Sequence, residues 1–386
     1  MFQPTVHEYV ALQMPTHSKV VTVKLVKLRL HSSGVFSNVY RGVLLEPSPQ
    51  REVAVKKTWP EDELETKNYE TMMLLELSKE KHLNIVQILY TFKTRAPDDR
   101  ICISMVFDFM PSTLHSIIKS LAGQNPNIID IKIYTWQLFN GLHFLSKACC
   151  PLFPTNRKKI CHRDIKPQNL LIDSHHGALK IADFGSSKIL KPNVESTPYQ
   201  VTRFYRPIEL LLDAFFYTPM VDVWSAGCCL GEMFLGSPLF PGRDTKHQLR
   251  LIIEALGTPT SNDLREMRAL ARSSVTPVIP RGLSSLLPYC DRQSIEFMQR
   301  ILVYNPNKRL CGLNLLSDSY FSDLLVPHKK RHNGRLVADI PCYNEMMLLG
   351  LKNYLSPQRP IKTTKSFEST KPTVYSTQEN VIADKW

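Results

Sequence analysis

His162-Arg163-Asp164-Ile165-Lys166-Pro167-Gln168-Asn169, followed fourteen residues after Asn169 by Asp183-Phe184-Gly185, is the stretch that decides how this 386-residue chain is read. It sets one carboxylate, one lysine and two oxygen-bearing side chains at the separations that phosphoryl transfer uses. That reaction asks little covalent work of a protein. It asks that charge be neutralised and that the reactants be held in line. In such chemistry Asp164 takes the proton of the attacking hydroxyl and Lys166 holds the transferring phosphate. Asn169 and Asp183 hold the Mg2+ ions that bridge the β- and γ-phosphates of ATP.

Upstream, Val53-Ala54-Val55-Lys56 supplies a lysine at the end of a strand-like run. Alone, Asp-Phe-Gly is a common turn and such a lysine a common strand end. Three motifs in the right order and at the right separations argue against coincidence and read together as a protein kinase. A lysine two residues after the catalytic aspartate is what serine/threonine kinases resemble. The fold expected is therefore α+β and bilobal, with a β-rich small lobe carrying one key helix, a mainly helical large lobe, and ATP between them.

Around these anchors the rest of the small lobe can be laid out. Residues 1–21 show no clear periodicity and predict a flexible leader, and Val21-Thr22-Val23-Lys24-Leu25 opens an alternating strand pattern. Ser32-Ser33-Gly34-Val35-Phe36-Ser37-Asn38-Val39 stands where a glycine-rich loop would cover the phosphates, with one glycine of three remaining. Serine adds a β-carbon where the backbone must approach phosphate closely, which predicts weaker nucleotide handling. A helix is expected near Asn68–Leu77, with Met73, Leu74 and Leu77 at helical spacing. Glu70 is the first choice to pair with Lys56, and Glu65 and Glu76 compete. Asp108-Phe109-Met110 is the expected hinge, with Phe107 behind the adenine. The nucleotide is thus expected against Ser32, Gly34, Val39, Ala54, Lys56, Glu70, Asp108, Met110 and Leu171.

The kinase domain is expected over residues 22–322, with its small lobe at about 22–110 and its large lobe at about 111–322. Tyr134–Leu145 carries Trp136, Phe139, Leu142 and Leu145 on one face of a core helix. Asp222-Val223-Trp224-Ser225-Ala226-Gly227 opens another, placed to anchor the catalytic aspartate from below. Arg309 is the expected bidentate partner of Glu209. Residues 151–159, with Arg157-Lys158-Lys159, predict a surface loop. Residues 323–386, rich in Lys, Arg, Ser, Thr and Pro, predict a mostly disordered basic tail.

Composition excludes several other classes. No run of eighteen apolar residues occurs, since Val221–Leu235 is interrupted by Asp222 and Glu232, so no membrane span is expected. Nine cysteines, an odd number, and no secretory leader predict reduced thiols in cytoplasm or nucleus. The adjacent pairs Cys149-Cys150 and Cys228-Cys229 lack zinc spacing and suit core packing. The formal charge of +13 is spread along the chain without a nucleic-acid-binding motif. It suits protein substrates with acidic or phosphorylated Ser/Thr sites rather than a specific nucleic acid.

Beyond these landmarks, residues 22–322 resemble the glycogen synthase kinase-3 (shaggy) family. The likeness is carried by Cys161 to Leu171, Asp222 to Cys228, Phe240-Pro241-Gly242 and Leu256-Gly257-Thr258-Pro259-Thr260. It implies an activation-loop tyrosine at Tyr199, whose phosphate could pair with Arg203 or Arg206. It also implies recognition of substrates already phosphorylated four residues past the target. Of the three basic residues this takes, Arg163 and Lys188 are present and Tyr69 fills the third position. A weaker preference for phosphorylated substrates is expected. Arg206-Pro207-Ile208-Glu209 departs from the family's Ala-Pro before the glutamate. By the same resemblance, residues 256–281 are a place where a scaffold protein could dock. A nucleotide-binding scaffold without efficient catalysis is the alternative, motivated by Ser32, Ser37, Tyr69 and the altered Pro207-Ile208 segment. Lys56, Asp164, Lys166, Asn169 and Asp183 are all present and favour the enzyme.

Overall fold

The computed structural model describes residues 5–14, 19–34, 37–59, 69–96, 99–121, 127–147, 159–190, 194–197, 202–270 and 277–355. Tyr199, Glu65, Cys149-Cys150 and residues 151–158 of the expected surface loop lie outside them.

Alternation of apolar side chains builds the small lobe. Its strands are β1 (Val6–Gln13), β2 (Val20–Ser33), β3 (Ser37–Glu46) and β4 (Arg51–Thr58), followed beyond a helix by β5 (Ile88–Arg95) and β6 (Ile101–Asp108). They pair antiparallel in the spatial order β1-β2-β3-β4-β6-β5. The sheet is strongly curled, and its inward residues, among them Val23, Leu25, Leu44, Val53 and Val106, form a core of their own.

The helix between β4 and β5, α1 (Tyr69–Leu77), belongs to a different core. Its Met73, Leu74 and Leu77 pack with Ile85, Val86 and Phe184 in the cluster that runs through the large lobe. Each such side chain contributes roughly 1.5–3 kcal/mol on burial. The helix is thus tied apolarly to the lower lobe while its polar face looks at β4.

In the large lobe, β7 (Ser112–Thr113) leads into α2 (Leu114–Ser120), whose N-cap Thr113 accepts the Ser116 N–H. The central α3 (Ile128–Lys147) is buried along most of its length, and its Trp136 indole N–H donates to the Leu316 carbonyl at 3.0 Å. Short strands follow: β8 (Lys159–Cys161), β9 (Leu170–Asp173), β10 (Ala178–Ile181) and β11 (Lys188–Leu190). Next come α4 (Ile208–Leu211) and the apolar α5 (Met220–Leu235), which ends on Gly236 at φ 76°, a left-handed cap that suits glycine. Then α6 (Thr245–Leu256), α7 (Ser261–Glu266), α8 (Leu283–Leu286), α9 (Arg292–Ile301) and α10 (Gly312–Leu316) complete the lobe. No helix among the described residues is long and apolar enough to cross a membrane.

Two expectations are corrected. The leader 1–21 is not featureless: β1 pairs with β2 from Val6–Val26 to Leu12–Val20, and its far end meets β5. Val6, Val10 and Leu12 lie on its exposed face while Tyr9 stacks on Phe92 at 4.1 Å, so both faces carry apolar residues and the alternation is blurred.

The tail read over 323–386 is folded as far as α11 (Tyr343–Leu355). Its anchor is Arg331, which is only 2% exposed at its side chain. The guanidinium donates to Asp130 at 2.9 Å and to the carbonyls of Ser174 at 2.8 Å and His175 at 3.2 Å. Gly177 leaves the room for it: a β-carbon there would come within 2.7 Å of the guanidinium. Val337, Ile340, Cys342 and Met346 then join the main core. A polar composition hid this segment because an ion pair, rather than an apolar stripe, fixes its entry. Arg331→Ala is expected to cost roughly 2–4 kcal/mol by stranding Asp130. A urea denaturation midpoint unchanged from the parent would contradict that anchor role.

Candidate active site

The catalytic loop follows β8, and a buried carboxylate sets its backbone. Asp222, in the first turn of α5, accepts the His162 N–H at 2.7 Å and the Arg163 N–H at 2.8 Å. Burial pushes its pKa up, against the pull of His162 and those two amides. Arg163 sits at φ 66°, a left-handed conformation that a non-glycine residue keeps only when its surroundings hold it. The Asp222 contacts supply that hold.

One turn on, three side chains converge on Asp164. Its Oδ1 accepts the Thr202 hydroxyl at 2.7 Å, and its Oδ2 accepts Lys166 Nζ at 2.6 Å and the Asn169 amide at 2.9 Å. The Asn169 amide also donates to the Asp164 carbonyl at 2.9 Å. With its nitrogen committed inward, the Asn169 side-chain oxygen remains as an acceptor.

Lys56, on β4, stands between two carboxylates. It meets both oxygens of Glu70 at 2.8 Å and Asp183 Oδ1 at 3.0 Å. Burial would lower the lysine pKa, but the charges of Glu70 and Asp183 outweigh it and the net direction is upward. Asp183 moves the other way: burial raises it, and the neighbouring Lys56 charge brings it below the ordinary carboxylate value. Asp183 lies at φ 65°, a second left-handed non-glycine residue in the site. Phe184 beside it is fully buried, edge-on to the His162 ring at 4.9 Å, and its N–H donates to Glu70 at 3.3 Å. Asp183 keeps one oxygen off Lys56, and that oxygen with the Asn169 amide oxygen makes a hard donor pair. This pair fits Mg2+, which completes its shell with waters and substrate phosphates.

The expected nucleotide-lining residues border the same cleft by strand register. Val39 pairs with Lys56, Ala54 with Phe107, and Val53 with Asp108 at the hinge, where the Phe109 N–H donates to the Glu52 carbonyl at 3.3 Å. Met110 is half-buried after Phe109, and Leu171 on β9 pairs with Lys180. At the serine-rich loop, Ser32 pairs with Val39 and the Ser33 hydroxyl donates to the Asn38 side chain at 2.7 Å. The Gly34 N–H donates to the Ser37 carbonyl at 2.8 Å, so the described part of the loop is closed as a hairpin. A β-carbon at Gly34 would meet only ordinary contacts, the nearest at 3.4 Å.

The three positions implicated in reading a substrate phosphate are neighbours. Arg163 donates to the Ser186 carbonyl at 2.6 Å and to the Tyr217 hydroxyl at 3.3 Å, and Lys188 donates to the Glu195 carbonyl at 3.1 Å. Tyr69 opens α1 beside them. Burial raises its pKa, while the Arg163 charge and the Ile189 N–H draw it back. Below, Arg309 grips Glu209 bidentately at 2.7 and 2.8 Å, both side chains fully enclosed.

Sequence reasoning missed Thr202 and Tyr217. Neither carries a chemistry-bearing pattern, and Thr202 reaches Asp164 across 38 residues of chain.

Comparison with known proteins agrees with this geometry. Residues 27–321 match the protein kinase domain. The chain is 35% identical over 327 residues to the serine/threonine-protein kinase RIM11/MSD1 of Saccharomyces cerevisiae, covering 84% of this chain and 83% of the relative. It is 36% identical over 324 residues to the serine/threonine-protein kinase gskl-1 of Caenorhabditis elegans, covering 82% and 85%. It is 33% identical over 321 residues to glycogen synthase kinase 1 of Pyricularia oryzae, covering 81% and 77%.

Asp222→Asn keeps the side-chain shape but turns one acceptor toward a backbone N–H as a donor. The expected loss is roughly 1–3 kcal/mol of stability, with faster hydrogen exchange at the His162 and Arg163 amides. Unchanged exchange at both amides would show that something else holds the loop.

Proposed function

Because the chain belongs to the protein kinase family and, within it, to the glycogen synthase kinase-3 group of serine/threonine kinases, we propose that its transfer of phosphate to Ser/Thr of protein substrates runs through Asp164. The observation that carries this is the convergence of Thr202, Lys166 and Asn169 on the one carboxylate. Asp164 accepts the proton of the substrate hydroxyl. Thr202 on Oδ1 and Lys166 on Oδ2 fix the orientation of the carboxylate for the incoming hydroxyl, and Lys166 can turn to the transferring phosphate. Lys56 orients the ATP phosphates, and Glu70 keeps its ammonium in the cleft. Asn169 and Asp183 would hold Mg2+, which would supply charge neutralisation at the nucleotide phosphates.

Substrate choice follows from charge. Arg163 and Lys188 offer two cations to a phosphate already on the substrate, and Tyr69 offers a hydroxyl in place of a third. Loss of one charge-assisted contact removes ~1.5–3 kcal/mol, so phosphorylated substrates are favoured more weakly than three bases would favour them. On the opposite flank, Leu270 and Ile279 are 66% and 89% exposed in the segment 256–281, which supports the docking of a scaffold protein there.

Two measurements test these roles. Asp164→Asn is expected to lower kcat on a basic protein substrate with Mg·ATP by roughly a thousandfold or more, general-base and positioning losses combined. ATP binding with no transfer above that variant would favour the scaffold alternative. Tyr69→Arg is expected to raise the ratio of kcat/KM for a peptide with phosphoserine four residues past the target over its unphosphorylated form. The rise expected is about tenfold or more. An unchanged ratio would remove position 69 from phosphate reading.

A further inference from the structure

Behind the hinge, residues of the small and large lobes line an open pocket of about 410 Å³. Its walls come from the end of β1, the start of β4, the turn after α1, the first half of β5, the hinge and β10. Three cations line it, Arg51, Lys81 and Lys180, against one carboxylate, Asp108. The count leaves two unopposed positive charges.

Two of these cations are not fully used, and Lys81 is exposed at the rim. Arg51 reaches Asp108 Oδ1 with one nitrogen at 3.2 Å, while its Nε is buried with no hydrogen-bond partner among the described residues. Lys180 donates to one neutral acceptor, the Leu83 carbonyl at 3.0 Å, and burial lowers its pKa while Asp108 raises it. A desolvated ammonium with a single carbonyl partner gains most from an anion. His82 adds a donor without a charge. Burial beside Lys180 brings its pKa down to about 4, so the ring is neutral at physiological pH, and its Nδ1 accepts the Asn84 N–H at 3.1 Å. The proton of the neutral ring is therefore on Nε2.

Apolar groups complete the walls. Met14, Ile88 and Leu89 line the cavity beside the cations. A volume of this size lies within the roughly 300–1,000 Å³ range of small-molecule pockets. From the juxtaposition of two incompletely paired cations, Arg51 and Lys180, with the exposed Lys81 and an apolar wall in one pocket, we propose a second ligand site behind the hinge for a small phosphomonoester with a ring or aliphatic body. Arg51 turns its fork from Asp108 to the phosphate, Lys81 and Lys180 neutralise it, and the body rests on Met14 and Ile88. The site is independent of the roles proposed for Asp164 and Tyr69.

The test uses the full chain with its ATP cleft filled by a non-hydrolysable ATP analogue and Mg2+. Phenyl phosphate is titrated by calorimetry, with inorganic phosphate and benzyl alcohol as partial probes. The expected result is saturable binding of phenyl phosphate, weaker binding of phosphate alone, none of benzyl alcohol, and affinity that falls as salt rises. Lys180→Met and Lys81→Gln are each expected to weaken it about tenfold, one charge-assisted contact apiece, with the analogue's affinity unchanged. The retained analogue affinity shows that each variant is folded. Absence of saturable binding, binding unaltered in both variants, or binding abolished by the ATP analogue would each overturn the proposal.

Discussion

One ammonium placed between two carboxylates holds the working parts in register. Lys56 comes from β4, Glu70 from α1 and Asp183 from the segment after β10. Taken alone, burial would drive the lysine toward neutrality; with two acidic partners its charged form is favoured instead. The lysine's main partner is the buried Glu70, and the half-exposed Asp183 adds a second. Loss of Lys56 would leave the buried Glu70 uncompensated, a penalty of several kcal/mol. The triad therefore ties three elements together: both partners of Lys56 are met when the helix and the Asp-Phe-Gly segment have packed.

The packing that brings them there is apolar and asymmetric. α1 shares its buried face with the large lobe through Phe184, Ile85 and Val86, whereas the sheet that carries Lys56 closes on its own core. Lys56 thus stands where the two cores meet, since Ile88 and Met105 of the same sheet also join the large-lobe cluster. Backbone strain is concentrated at the same place. Arg163 and Asp183 both occupy left-handed backbone that costs on the order of 1–3 kcal/mol for ordinary residues. Asp222 holds the first through two amide hydrogen bonds, and Lys56 holds the second through its carboxylate. Carboxylates chosen for geometry, and not only for chemistry, keep the reactive ones aimed.

How much of this could be read beforehand follows from what each residue must do. Asp164, Asn169, Asp183 and Lys56 were legible because the chemistry restricts the residue type at each place and the spacing fixes their order. Glu70 was separable from Glu76 by helical period, since Leu74 and Leu77 point into the core. Asp222 and Glu209 were legible as charged residues embedded in apolar runs, whereas Arg309 sits in the polar stretch Asn307-Lys308-Arg309. β1 was not, because Tyr9 and Val10 place large apolar groups on opposite faces and erase the alternation. The segment after residue 323 was not, because Arg331 is buried by hydrogen bonds to carbonyls that no local pattern announces. Thr202 was invisible for a related reason: its role is a contact made by folding.

The late segment has a further consequence for the site. Glu345 on α11 accepts the Asn140 amide at 2.9 Å, and the same amide donates to Asn84 at 3.1 Å. Asn84 lies in the turn that follows α1 and donates in turn to the Gln137 side chain and the Leu179 carbonyl, both at 3.0 Å. A chain of polar groups, exposed at Glu345 and buried from Asn140 on, therefore runs from beyond the matched kinase domain, which ends at residue 321, to the turn that follows the helix carrying Glu70. Buried networks of this kind tolerate little displacement, because a member that loses its partner is left unsatisfied in a low-dielectric interior. The lower end of α1 is fixed by the apolar core, and its upper end by Lys56. Position 69, at the exposed start of the same helix, is the point where the side chain can differ without disturbing either anchor. Residue type can vary there while Glu70, one residue on, keeps Lys56 in place.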